Sequence, residues 1–111
     1  MIDDYAVVST RDNIINVQKV INDKKGKNEQ QGVLLASTVL LELEKGKIIL
    51  DMTTLTLIKV KFFKSFIIEL YKVYPSIDNL MDKMTIHYKD ENDKDVMKLI
   101  LENVYGGIYN A

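Results

Sequence analysis

The sequence predicts an α/β domain, a small mixed β-sheet covered by helices, and three observations carry that expectation. Short apolar runs with strand character alternate with segments whose apolar residues recur every three or four positions. Stretches rich in glycine, asparagine and charge separate them, and a single proline closes the longest apolar segment. A chain of 111 residues supplies one core and not two. Residues 1–111 are therefore expected as one domain, with 1–31 an N-terminal extension whose elements are the least sharply patterned.

Taken in order, Tyr5 to Val8 has the composition of a strand, and Ile14, Val17, Val20 and Ile21 fit one face of a helix. Asn22 to Gln31 is polar and charged throughout and is expected as a mobile loop. Val33, Leu34 and Leu35 suit either a strand or the first turn of the following helix, and the strand is preferred. Ser37 to Gly46 has a capping serine at one end and a terminating glycine at the other, the asymmetry of a helix. Lys47-Ile48-Ile49-Leu50-Asp51, at the Gly46-Lys47 turn signal, reads as a strand with branched apolar side chains on both faces, hence buried.

Phe62, Phe63, Phe66, Ile67, Leu70, Tyr71 and Tyr74 then recur at helical spacing and mark the principal packing helix. Pro75 ends it, because the residue before a proline is driven from helical angles. Thr85 to Tyr88 makes a short strand, and Lys89 to Asp95 a solvated loop. Val96, Leu99, Ile100 and Val104 line a last helix that Gly106-Gly107 stops.

Composition excludes several functions. With 15 basic and 16 acidic residues, the chain as a whole has no field that would steer it to nucleic acid or an anionic membrane. It has no cysteine and one histidine, so thiolate and histidine-rich metal sites are not expected. The beginning, Met1-Ile2-Asp3-Asp4-Tyr5, is acidic where a secretory signal is basic, and no apolar stretch approaches the roughly 20 residues of a membrane span. A cytoplasmic protein is expected. His87 has no serine or cysteine placed in sequence to form a triad with it, and the five glycines build no phosphate loop. Asp90-Glu91-Asn92-Asp93-Lys94-Asp95 lacks the central glycine and terminal glutamate of a calcium loop. No catalytic residue, metal or cofactor is expected. Tyr88, Tyr105 and Tyr109 suit core and tail packing better than a contact surface.

One constellation goes further. Ile48-Ile49-Leu50-Asp51-Met52, then Leu55-Thr56-Leu57-Ile58, then Phe62 and the helix to Tyr74, resembles the STAS domain, named for sulfate transporters and anti-sigma-factor antagonists. The likeness is to its divergent STAS-like group, in which a strand ends Leu-Asp-Phe and a small polar triplet precedes a phenylalanine at the helix start. Asn92 with Val96 and Ile100 matches that group's late asparagine and apolar helix, so the resemblance spans residues 33–104. It implies a STAS-like sandwich and a role in regulating a partner, an ATPase or a kinase-like protein. In regulatory members a hydroxyl of the triplet accepts phosphate. Here those positions are Lys59-Val60-Lys61, which offer no hydroxyl, and the next one, Ser65, falls a turn inside the helix.

The expectation is thus a non-enzymatic regulatory module that binds another protein through Lys59, Val60, Lys61, Phe62 and Ser65. Its alternative is a small phage or mobile-element accessory protein that inhibits a larger host target, and the bias toward Lys, Ile, Asn and Asp suits a bacterial or a phage origin equally. A homodimer is a further expectation, because an edge strand or aromatic face in so small a domain pairs readily with its copy.

Overall fold

Three parallel strands form the spine of the molecule in a computed structural model, which describes residues 13–106. In chain order the elements are β1 (Ile14–Asn16), α1 (Val17–Ile21), β2 (Lys25–Gly26), α2 (Glu29–Leu43), β3 (Ile48–Asp51) and β4 (Leu57–Ile58). They continue through α3 (Val60–Val73), α4 (Ile77–Lys83), β5 (Met84–His87) and α5 (Glu91–Val104). The strand order is β1-β3-β5, and β2 pairs with β4 in a separate two-stranded sheet. The α/β class is as the alternating pattern requires. Among the described residues every strand pairing is parallel; Tyr5 to Val8, expected as a strand, and Tyr109 lie outside them.

The register divides the two faces of the main sheet. Ile15, Ile48, Leu50, Met84 and Ile86 are buried against the helices. On the opposite face Ile14, Ile49 and Thr85 stand side by side, and Asn16, Asp51 and His87 form the next row. Ile49 is only half-buried there, so β3 is not covered equally on both faces as its apolar run suggests. The alternation of β5, buried at Met84 and Ile86 and exposed at Thr85 and His87, is that of a strand with one solvated face.

Where α2 begins is the largest departure from the expected elements. Residues Asn22 to Gln31 are not a loose loop but a fastened turn. Asn22 takes the left-handed conformation with φ +53°, Lys25 and Gly26 pair with β4, and Asn28 caps α2. The Asn28 Oδ1 accepts from the Gln31 backbone N–H at 2.9 Å while Gln31 Oε1 accepts from the backbone of Asn28 at 3.1 Å and of Lys27 at 2.6 Å. This reciprocal box satisfies N–H groups that the first turn would leave unpaired. The Gln31 amide also donates to Asp23 Oδ2 and to the Lys25 carbonyl, each at 3.2 Å. Gln31→Ala is expected to lower the unfolding free energy by about 1–2 kcal/mol, seen as a lower urea midpoint at unchanged slope.

Val33, Leu34 and Leu35 consequently lie inside α2 and not in a strand, and Ser37 is a mid-helix residue donating back to the Leu34 carbonyl at 2.8 Å, not a cap. The solvated loop expected over Lys89 to Asp95 is likewise mostly helix, because Asp90 accepts from the Asp93 N–H at 2.9 Å and starts α5. Helix α4, capped by Ser76 and contributing Ile77 and Leu80 to the core, was not expected at all.

The core is centred on the seam between α2 and α3. Phe62, Phe63, Phe66, Ile67 and Leu70 are all fully buried, the helical face their spacing predicts. They meet Leu35, Ala36, Val39 and Leu43 of α2 in one apolar cluster with Leu50, Met52 and Leu55. Phe63 and Phe66 lie 5.8 Å apart between ring centroids. At the far end Tyr105 packs edge-on to Tyr71 at 5.0 Å and donates its hydroxyl to the Tyr74 carbonyl at 2.7 Å, so this tyrosine is part of the core. Among the described residues no helix is long and apolar enough to cross a membrane.

Candidate functional site: the first turn of α3 and the loop before it

The connection from β3 to α3 is held at both ends and in the middle. Its first residue, Met52, is buried and donates its N–H to the His87 carbonyl at 3.0 Å. Asp51 Oδ1 accepts from the Thr53 hydroxyl at 2.6 Å and from the Thr53 N–H at 2.9 Å. These two bonds hold the Asp51 carboxyl below the usual carboxylate range, and the neighbouring His87 adds a smaller pull in the same direction. Leu55 then inserts into the core. Thr56 donates to the Lys24 carbonyl at 2.7 Å and Lys59 to the Gly26 carbonyl at 2.8 Å, which docks β4 on β2. A loop tied down in this way presents its remaining side chains in one fixed arrangement.

Those side chains form an apolar and cationic patch. Leu57 is 40% exposed and Val60 56%, and Lys59, Lys61 and Lys64 are exposed around them. None of the three lysines has an ion pair among the described residues. Lys59 occupies the N-cap of α3 without a side-chain bond to the first turn, and that turn contains no acidic residue. Serine, threonine or aspartate is favoured at such a position and cations are disfavoured, because the free N–H groups carry partial positive charge. The other three long or medium helices α2, α4 and α5 have a capping side chain and an acid in the first turn. Only α3 among them begins with lysine on both sides of an exposed valine.

The five residues singled out from sequence are separated by depth. Lys59, Val60 and Lys61 share the exposed first turn. Phe62 is fully buried and faces the core. Ser65 is half-buried in the α2–α3 seam, where its hydroxyl lies 3.1 Å from the Glu29 carbonyl and 2.9 Å from that of Phe62. Leu57 and Lys64 join the patch without having been singled out. Lys64 was legible in principle, since it falls one turn from Val60 and Lys61 on the side of α3 opposite the phenylalanines.

Near His87 there is an open depression of about 550 Å³ lined by Thr53, Tyr88, Lys89, Asp90, Glu91 and Lys94 among others. Asp51 and His87 are register neighbours across β3 and β5, and the Thr53 hydroxyl at the same depression is engaged by Asp51. Tyr88 is half-buried, and burial raises its hydroxyl above the ordinary tyrosine value. Among the described residues no group of three His, Cys, Asp or Glu side chains is placed to hold a metal ion. Comparison of the chain with protein-family models, with curated proteins and with solved structures finds no match.

Proposed function

We propose that this chain is a non-enzymatic, regulatory protein-binding module of STAS-like type, without the usual phosphoacceptor, that engages an acidic segment of its partner. The carrying observation is the first turn of α3, where Lys59 and Lys61, without an ion pair among the described residues, flank the 56% exposed Val60. Clustered lysines at a helix N-terminus are unfavourable in the free protein and are relieved when carboxylates approach. The exposed Val60 between them, with Leu57 exposed two residues before Lys59, adds apolar area that such a partner would cover. Residues set against a local preference are where binding function is expected.

The strand, pinned loop and phenylalanine-rich helix support the STAS-like reading, which brings an ATPase or kinase-like protein as the partner class. Ser65 does not serve as a substitute phosphorylation site in this reading. A phosphoryl group there would displace two carbonyl contacts and carry close to two negative charges into the helix seam.

A photo-crosslinking residue at Val60, introduced in the native host, is expected to capture one partner. The combined change Lys59→Glu and Lys61→Glu should abolish the capture and leave the melting temperature within a few degrees, since exposed charges contribute little to stability. Raised salt should weaken capture by the unmodified chain. Capture that persists after charge reversal would remove this turn from the interface.

A further inference from the structure

We infer that the cavity between β4 and α5 receives an arginine side chain of the partner, with its guanidinium on the Asp93 carboxylate. The cavity measures about 190 Å³. That is below the roughly 300–1,000 Å³ of sites that enclose a small-molecule ligand, and it matches a single side chain. Its apolar lining is Leu57 and Ile58 of β4 with Val96 and Met97 of α5, and Asn92 and Asp93 line it as well. Asn92 and Val96, like Asp93 and Met97, are four residues apart on α5. The polar pair is therefore stacked one turn, about 5–6 Å, from the apolar pair. A side chain with a hydrocarbon stem and a polar head fits that division.

The charge of the head follows from Asp93. Its Oδ2 is buried and has no hydrogen-bond partner among the described residues. Buried polar atoms are nearly always bonded, so an orphaned acceptor marks a place where a donor belongs. Lys89 approaches it only to 3.8 Å, outside hydrogen-bond reach, and its side chain is 39% exposed. Lys89 thus shields the carboxylate without satisfying it, and a cation with better-placed donors can take over from it. Arginine suits this better than lysine. A planar guanidinium presents several N–H donors at once, can bond the Asp93 carboxylate and the Asn92 carbonyl oxygen together, and is more weakly hydrated than an ammonium group.

The cavity adjoins the patch on α3. Leu57 lines it and is also 40% exposed two residues before Lys59. A segment whose carboxylates meet Lys59 and Lys61 then carries its arginine within a few residues of them. Assigning the arginine to that partner rests on the binding role proposed for α3, whereas the preference of the cavity for a guanidinium does not.

Nα-acetyl-arginine amide, titrated into the isotopically labelled whole chain, should shift the amide resonances of Leu57, Ile58, Asn92, Asp93 and Val96. A dissociation constant on the order of millimolar is expected for one side chain. The citrulline counterpart, which has the same shape without the charge, should shift none of them, and the lysine counterpart should bind more weakly. Asp93→Asn should weaken binding of the arginine derivative at least about tenfold. Lys89→Ala removes the internal competitor, leaves the four apolar residues in place, and should tighten binding about two- to fivefold; it carries the test by itself if Asp93→Asn fails to fold. Equal binding of the citrulline or lysine counterpart, or no tightening by Lys89→Ala, would overturn the inference. In the native host, Asp93→Asn should reduce capture through Val60. Arginine binding with capture unaffected by Asp93→Asn would overturn the assignment to the partner. Capture that depends on Lys59 and Lys61 without any arginine binding would remove this inference and leave the reading of α3 standing.

Discussion

Replacing Gly32 by valine is expected to prevent folding, and Gly32→Ala to lower the unfolding free energy by about 1–3 kcal/mol. Gly32 is where α2 comes closest to α3. A Cβ built there runs into the Ser65 hydroxyl and the Phe62 carbonyl oxygen and comes within 3.0 Å of the Phe66 amide nitrogen. The serine can rotate away, but only by giving up its contact with the Glu29 carbonyl. The Phe62 carbonyl belongs to the α3 backbone and moves only if the helices separate. Overpacking of this kind costs about 1–3 kcal/mol and the lost hydrogen bond about 1. The gain in helix propensity from glycine to alanine offsets about 1 kcal/mol of it. For a domain of this size the alanine variant should melt roughly 4–20 °C lower. Adding Ser65→Gly to Gly32→Ala should restore part of the loss, because the carbonyl contact remains. Complete restoration would mean that the hydroxyl alone sets the helix spacing, and a Gly32→Ala chain as stable as the parent would refute the close approach.

The same residue explains why α2 was the hardest element to read in the sequence. Helix α3 was legible because seven residues, Phe62 to Tyr74, recur at helical spacing before a proline; the first five are buried as their phase requires, while Tyr71 is exposed and Tyr74 half-buried. In α2 the apolar residues occur on both sides of the helix. Val33-Leu34-Leu35 has no phase, since two of its members point outward and one inward, and a run without phase suits a strand as well as a helix. Gly32, the fourth residue of α2, has low helix propensity, and here it is the close approach of α3 that requires it. The start of α2 was written plainly as Asn28-Glu29-Gln30-Gln31, an asparagine with glutamine three residues on. Its polar surroundings concealed it, because a segment rich in lysine, asparagine and glutamine has the composition of a loop. Helix α4 spans seven residues, too few for a period to emerge.

Legibility of the site follows the same division between local and tertiary information. Lys59, Val60 and Lys61 are exposed because the turn that carries them is outside, and their departure from capping preference is visible in sequence alone. The depth of Phe62 and Ser65 depends on α2, which approaches α3 from thirty residues away in the chain. Nothing in the local pattern announces that contact. The same holds for the cavity between β4 and α5: the spacing of Asp93, Val96 and Met97 can be counted in the sequence, but the strand that faces them is defined only by the tertiary fold.

Phe62→Ala provides the sharpest separation between a binding role and a packing role for the residue at the centre of the resemblance. Its expected effect is a loss of about 3–5 kcal/mol, the usual range for deleting a buried aromatic side chain. Domains of this size are commonly stable by only about 5–15 kcal/mol, so roughly a fifth or more of the total is at stake. The ring lies across Gly26: a Cβ at that glycine would come within 2.6 Å of Cε2 and 2.8 Å of Cγ and would also meet Cδ2. Gly26 in turn anchors the start of α3, since its carbonyl accepts the Lys59 N–H at 2.8 Å. Phe62 therefore fixes the spacing between the β2–β4 pair and the first turn of α3, and so the position of Lys59, Val60 and Lys61. Gly26→Ala should be strongly destabilising with the phenylalanine present and much less so beside Phe62→Leu. The two changes should couple by about 1–3 kcal/mol in a double-mutant cycle followed by urea unfolding. Additive effects would show that the ring and the glycine act independently. A Phe62→Ala chain that kept its stability while losing its partner would reverse the assignment and return the ring to the binding surface. The expected result makes Phe62 a positioning residue, whose contribution to binding is made through the turn it holds.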